Sequence, residues 1–138
     1  MKRIRIVFAT RTGHSKKLAE AIGRALNIRA ESVASKPDIK DVDLLFIVGG
    51  IYGGNSMPEL LSLVDRLGGG VGSVALVTSC ASKKQRQEAV RKRLEQKGIP
   101  VVDEMVCRGS FLFLGIGHPN DADLAEAERF AVRLAEAD

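Results

Sequence analysis

The chain has 138 residues, 45% of them apolar and 28% charged, which suits one globular domain whose core needs no disulfide or metal staple. No apolar run approaches the ~20 residues that cross a bilayer, and the two cysteines, Cys80 and Cys107, form neither a CxxC pair nor a disulfide framework. The 21 Lys and Arg against 17 Asp and Glu leave a net charge of +4, but aromatics make up only 4%, so the stacking residues of a nucleic-acid-binding chain are lacking.

Met1-Lys2-Arg3 runs straight into an apolar stretch with no signal-peptide cleavage pattern, and a cytoplasmic protein with free thiols is expected. Ile4 to Ala9 has the length and β-branched content of a strand buried on both faces. It breaks into Thr10-Arg11-Thr12-Gly13-His14-Ser15, and a periodic helix follows at once, from about Gly13 to Leu26. Leu18, Ala21, Ile22, Ala25 and Leu26 form its apolar stripe. A strand, a hydroxyl-rich turn and a helix in succession leave unpaired N–H groups at the positive end of the helix dipole. Such a place accepts a phosphate. The alternative is a helix start with Thr12 or Ser15 as an ordinary cap.

A second, weaker strand is expected over Ile28 to Ala34, and Pro37 to Asp43 is short enough to hold only a turn or two. Val42 to Val48 reads as another fully buried strand, ending in the glycine-rich loop Gly49 to Asn55. Ser56-Met57-Pro58-Glu59 has capping-box spacing with an early-helix proline, ahead of the helical period Leu60, Leu61, Val64, Leu67. Ser73 to Thr78 is a further buried strand, and Ser79-Cys80-Ala81-Ser82 is the turn after it. Ser82 with Gln85 suggests a second capping box, opening a basic helix. Seven basic residues and two acidic ones lie between Lys83 and Lys97, either as a solvated face or as a docking patch for an acidic partner. Val101 to Phe113 is the last strand region, with Gly109 as a bend, and Asn120 starts a final helix whose stripe is Leu124, Ala127, Ala131 and Leu134.

Strands alternating with helices imply a parallel sheet covered on both faces by right-handed crossovers. The expected fold class is α/β, a three-layer doubly wound sandwich spanning residues 1–138 around a five-stranded parallel sheet of order 2-1-3-4-5. In that order the ligand crevice lies at the carboxyl ends of strands 1, 3 and 4. The loops Thr10 to Ser15, Gly49 to Asn55 and Ser79 to Ser82 would meet there.

Thr10-x-Thr12-Gly13-x-Ser15 resembles the flavodoxin phosphate loop, T-x-T-G-x-S/T, in its usual place after the first strand. The order of elements resembles a short-chain flavodoxin throughout. The resemblance implies an FMN cofactor whose 5′-phosphate is held by Thr10, Arg11, Thr12, Gly13, His14 and Ser15. It implies that Gly50, Ile51, Tyr52, Gly53 and Gly54 flank one face and edge of the flavin, with Tyr52 stacked on it. Ser79, Cys80 and Ala81 would hold the pyrimidine side. A glycine at 53 or 54 would let one peptide reorient toward the flavin N5 as the ring changes redox state. Unlike most flavodoxins, the chain is basic, and Ser79-Cys80-Ala81-Ser82 has no aromatic. Electron transfer to or from a redox partner protein is the function implied. The alternatives are an FMN-dependent reductase or oxidase of a quinone or tetrapyrrole, and a flavin-free interaction module. His118 and Phe113, in or near the loop after the last strand, could cap the site.

Overall fold

The computed structural model describes residues 2–11, 13–52, 55–80, 87–108 and 121–137. Along these run β1 (Ile4–Phe8), α1 (His14–Leu26), β2 (Ala30–Ser32), a 3-10 turn (Val33–Ser35), β3 (Val42–Tyr52) and β4 (Asn55–Ser56). Then come α2 (Pro58–Arg66), β5 (Val71–Cys80), α3 (Glu88–Gln96), β6 (Val101–Arg108) and α4 (Asp121–Glu136).

Five strands pair in parallel in the order β2-β1-β3-β5-β6. Setting aside the two-residue β4, which pairs antiparallel with the end of β3, this is the expected order. Side chains alternate across the sheet because the strand period is two. Val7, Leu45, Ile47, Val74 and Leu76 point to the face covered by α2 and α3, with Leu60, Leu63, Val64, Val90 and Leu94. Ile6, Phe8, Phe46, Val48 and Val77 point to the opposite face, under Leu18 and Ile22 of α1 and Phe130 and Leu134 of α4. Central strands apolar on both sides therefore read as continuous hydrophobic runs.

Several local expectations are corrected. Leu18, Ala21 and Ile22 of the expected α1 stripe are buried, joined by Ser15 and Ala19, while Ala25 is exposed and Leu26 half-buried. The helix turns toward α4 with its small residues inward. At its end the chain folds back over Gly23, whose carbonyl accepts from Ile28 N–H at 2.9 Å. A Cβ there would lie 2.4 Å from Ile28 O, so this glycine is a packing requirement. β2 is shorter than expected because Ser32 diverts the backbone, its Oγ accepting from Ala34 N–H at 3.1 Å to open the 3-10 turn. The turn precedes Pro37 rather than following it.

β3 and β5 run beyond their expected ends. Gly49 and Gly50, expected in a loop, continue the ladder opposite Thr78 and Ser79. A Cβ on Gly49 would lie 2.2 Å from Leu60 Cδ1, so glycine here lets α2 settle on the strand. The capping box at Ser56 does not form: Met57 is the N-cap of α2 without a side-chain bond, and Pro58 supplies the first turn. α3 starts at Glu88, later than expected, and β6 is described only to Arg108. The proposed box at Ser82, the bend at Gly109, Phe113 and His118 lie outside the described residues.

Candidate functional site

The crevice begins where β1 stops. Phe8 is the last residue of β1 and pairs with Val48, whereas β3 continues through Gly49–Tyr52 beside β5. At ~3.3 Å per residue, those four residues raise a wall of about 13 Å above the end of β1. Ala9 N–H still donates to Val48 O at 3.0 Å, which fixes where the chain leaves the sheet. The winding direction reverses between β1 and β3, and an open α/β sheet leaves its ligand crevice at that point.

The turn into α1 forms for local reasons. Gly13 sits at φ +89°, a left-handed conformation costly for other residues, and its N–H donates to Thr10 Oγ1 at 2.9 Å. The first intrahelical bond is Lys17 N–H to Gly13 O at 3.1 Å, so the N–H groups of His14, Ser15 and Lys16 precede the ladder. The first turn carries no acidic residue to offset the helix dipole. Ser15 is 1% exposed, and its Oγ is buried without a hydrogen-bond partner among the described residues. A buried hydroxyl in that condition costs about 1–3 kcal/mol. His14 has its pKa lowered, first by burial and then by the Lys17 ammonium. The second of these causes, the Lys17 ammonium, marks a place with positive charge to offset.

Those residues fit a phosphate group. Ser15 Oγ would hold one oxygen, the N–H groups at the start of α1 would hold others, and an added dianion would relieve the dipole and the cation beside His14. Arg11 reaches across to Glu59 in the first turn of α2, Nη2 to Oε1 at 3.7 Å, with both side chains about half exposed. Thr12 lies outside the described residues.

β3 and β4 form the wall. Ile51 pairs with Ser56 and Tyr52 with Asn55, leaving residues 53 and 54 between the arms. Ser79 and Cys80 close β5 beside Gly50 and Ile51. Thr10, Gly13, Ser15, Gly50, Ile51 and Ser79 thus share one end of the sheet. Gly53, Gly54, Ala81 and the side chains of Tyr52 and Cys80 lie outside what is described.

Behind the wall lies a polar cluster that sequence reading missed. Gln87, 1% exposed, donates from Nε2 to Gly50 O at 3.3 Å and accepts at Oε1 from Ser56 Oγ at 2.6 Å. Its backbone N–H donates to Glu104 Oε2 at 2.8 Å. Glu104, its side chain 1% exposed, also accepts from Thr78 Oγ1 at 3.3 Å and from Arg91 Nη2 at 2.7 Å. A glutamate within the apolar run Val101 to Cys107 was the available signal, since a charge in a buried strand must be paired.

The same contacts reach into the basic stretch. Arg91 is paired with Glu104, Arg93 with Asp65 at 2.7 Å, and Lys97 Nζ donates to Leu67 O at 2.9 Å. Three of the seven cations of the stretch are thus engaged within the chain, while Lys92 is exposed. Lys83, Lys84 and Arg86 lie outside the described residues.

Fold and site together define a doubly wound α/β protein with an anion-accepting helix start at its switch point. The sequence model of the flavodoxin domain matches residues 5–112, and the chain belongs to that family. Membership implies a flavin cofactor. No curated protein matches the chain by sequence. A flavodoxin from the domain Archaea is similar in structure, with a TM-score of 0.71, 18% identity, and coverage of 99% of this chain and 97% of that one. Oxidised flavodoxin 2 from Bacillus cereus gives a TM-score of 0.70 at 19% identity, covering 97% and 98%. An NAD(P)H:quinone oxidoreductase from Methanothermobacter marburgensis gives 0.61 at 13% identity, covering 99% and 98%. At these identities the likeness concerns the fold. Among the described residues no helix is long and apolar enough to cross a membrane.

Proposed function

We propose that this chain binds FMN at the carboxyl ends of β1, β3 and β5 and passes electrons to or from a redox partner protein. The carrying observation is the buried Ser15 hydroxyl in the first turn of α1, without a partner among the described residues, at the switch point of a flavodoxin-family sheet. Thr10, Gly13, Ser15 and the N–H groups of α1 hold the phosphate. Gly50, Ile51, Tyr52, Gly53 and Gly54 border the ring on the β3 side, and Ser79, Cys80 and Ala81 border it on the β5 side. The flavin supplies one- and two-electron chemistry; the chain supplies anchoring, orientation and exclusion of water. Lys16 and Lys17, in the first turn of α1, are exposed cations beside this site, and they favour docking of an acidic partner there.

Titration of the apoprotein with FMN and riboflavin side by side tests the reading. Tight FMN binding with much weaker riboflavin binding is the expected result. Equal affinities refute the phosphate assignment, and no binding of either refutes the flavin reading.

A reductase acting on a small molecule such as a quinone is the second reading, favoured by the likeness to the quinone oxidoreductase. Turnover of quinones with NAD(P)H and no added protein partner separates it from the carrier.

A further inference from the structure

We propose that Gln87 is a positioning residue that sets the β3–β4 hairpin against the flavin ring, although its own side chain is too buried to touch the cofactor. The proposal rests on the flavin reading above.

β4 has two residues and, among the described residues, pairs only with β3. A strand that short gains little from its ladder and needs a further support to hold one position. Gln87 provides it from outside the hairpin. Its amide spans the two arms, donating to Gly50 O on the outgoing arm and accepting from Ser56 Oγ on the returning arm. Ser56 is opposite Ile51, one pair below the Tyr52–Asn55 pair that flanks residues 53 and 54. A single side chain therefore fixes both arms, at Gly50 and at Ser56.

The residue type suits the task. One donor and one acceptor on a three-carbon reach are needed. A glutamate lacks the donor, an asparagine is one methylene shorter, and a methionine has neither group. Gln87 is itself held. Its N–H is bound by the Glu104 carboxylate, which Thr78 and Arg91 orient in turn. At 1% exposure Gln87 can act only through the backbone and hydroxyl that it holds.

The test uses the full-length apoprotein and three variants: Gln87→Met, Gln87→Glu and Ser56→Ala. Riboflavin reports on ring contacts without the phosphate. Inorganic phosphate reports on the start of α1 without the ring. Losing one or both bonds should weaken riboflavin binding about tenfold, the equivalent of about 1.4 kcal/mol. Amide exchange at Ile51 and Ser56 should accelerate, with phosphate affinity unchanged. Gln87→Glu, which keeps the acceptor for Ser56, should fall between wild type and Gln87→Met. If thermal stability falls but riboflavin affinity and hairpin exchange stay at wild-type values, Gln87 is only a core residue and the proposal is wrong. Should Gln87→Met fail to fold, Ser56→Ala, at a half-buried position, decides the matter with the same readouts. If the wild-type protein binds neither FMN nor riboflavin, the flavin reading has failed and takes the proposal with it. That outcome is distinct because it precedes any variant.

Discussion

Replacing Glu104 with alanine removes the acceptor for three donors at once: Thr78 Oγ1, Gln87 N–H and Arg91 Nη2. Thr78 is fully buried and Glu104 nearly so, whereas the Arg91 side chain is 25% exposed. The Thr78 hydroxyl and the Gln87 N–H would each lose a partner in a dry setting, at about 1–3 kcal/mol apiece. Arg91 can turn toward water, so its share is small. Because the three groups are coupled, the costs do not simply add, and the expected loss is about 3–5 kcal/mol, as for other broken buried pairs. Glu104→Gln keeps the shape and one acceptor oxygen and should cost about half as much. Arg91→Ala strands the carboxylate and should resemble Glu104→Ala. Urea unfolding at neutral pH, with equal m-values across the set, measures all three. A double-mutant cycle between Glu104 and Arg91 should give a coupling above about 1 kcal/mol. A loss below 1 kcal/mol for Glu104→Ala, or strict additivity in the cycle, would refute the network argument.

Ser15→Ala should move stability and affinity in opposite directions. It removes an unsatisfied buried hydroxyl, so the apoprotein should gain up to about 1–2 kcal/mol in urea unfolding, while FMN affinity falls by about 1.5–3 kcal/mol. A destabilised apoprotein would mean that Ser15 already has a partner. Gly23→Ala should destabilise by about 1–3 kcal/mol despite alanine's better helix propensity, because its Cβ would press on the Ile28 carbonyl. A stability gain in thermal unfolding would count against the close approach. The lowered pKa of His14 has a defined sign. The unfolded chain takes up a proton near pH 6.5 that the folded apoprotein resists. The neutral His14 therefore contributes its full stability above that pH, and the contribution declines as the pH falls below it. His14→Gln should flatten the stability profile between about pH 7.5 and 5.5; a profile identical to wild type would remove His14 as its cause.

The sequence by itself determined the layered α/β architecture and the location of the helix start after β1, while the strand order came from the flavodoxin-like order of elements. The first two rest on local information. Ile4 to Ala9, Val42 to Val48 and Ser73 to Thr78 are apolar without alternation, which only a doubly covered sheet can satisfy. Thr10 to Ser15 carries the turn chemistry that starts a helix at the end of a strand. Tertiary structure alone decided what the glycines and charges do. Gly49 read as a loop residue because its sequence neighbours are turn formers, yet Leu60 from α2 requires a glycine within a strand. Arg91, Arg93 and Lys97 read as part of a basic helix, either solvated or for docking, because Glu104, Asp65 and Leu67 are distant in the chain. Gln87 gave no signal, since its partners Gly50, Ser56 and Glu104 lie 17 to 37 residues away and meet it only once α3 is laid on the sheet. Periodicity and turn chemistry act between near neighbours, so they are visible in the chain. Pairing of a buried polar group depends on what packing brings beside it, and that exists only in the folded molecule.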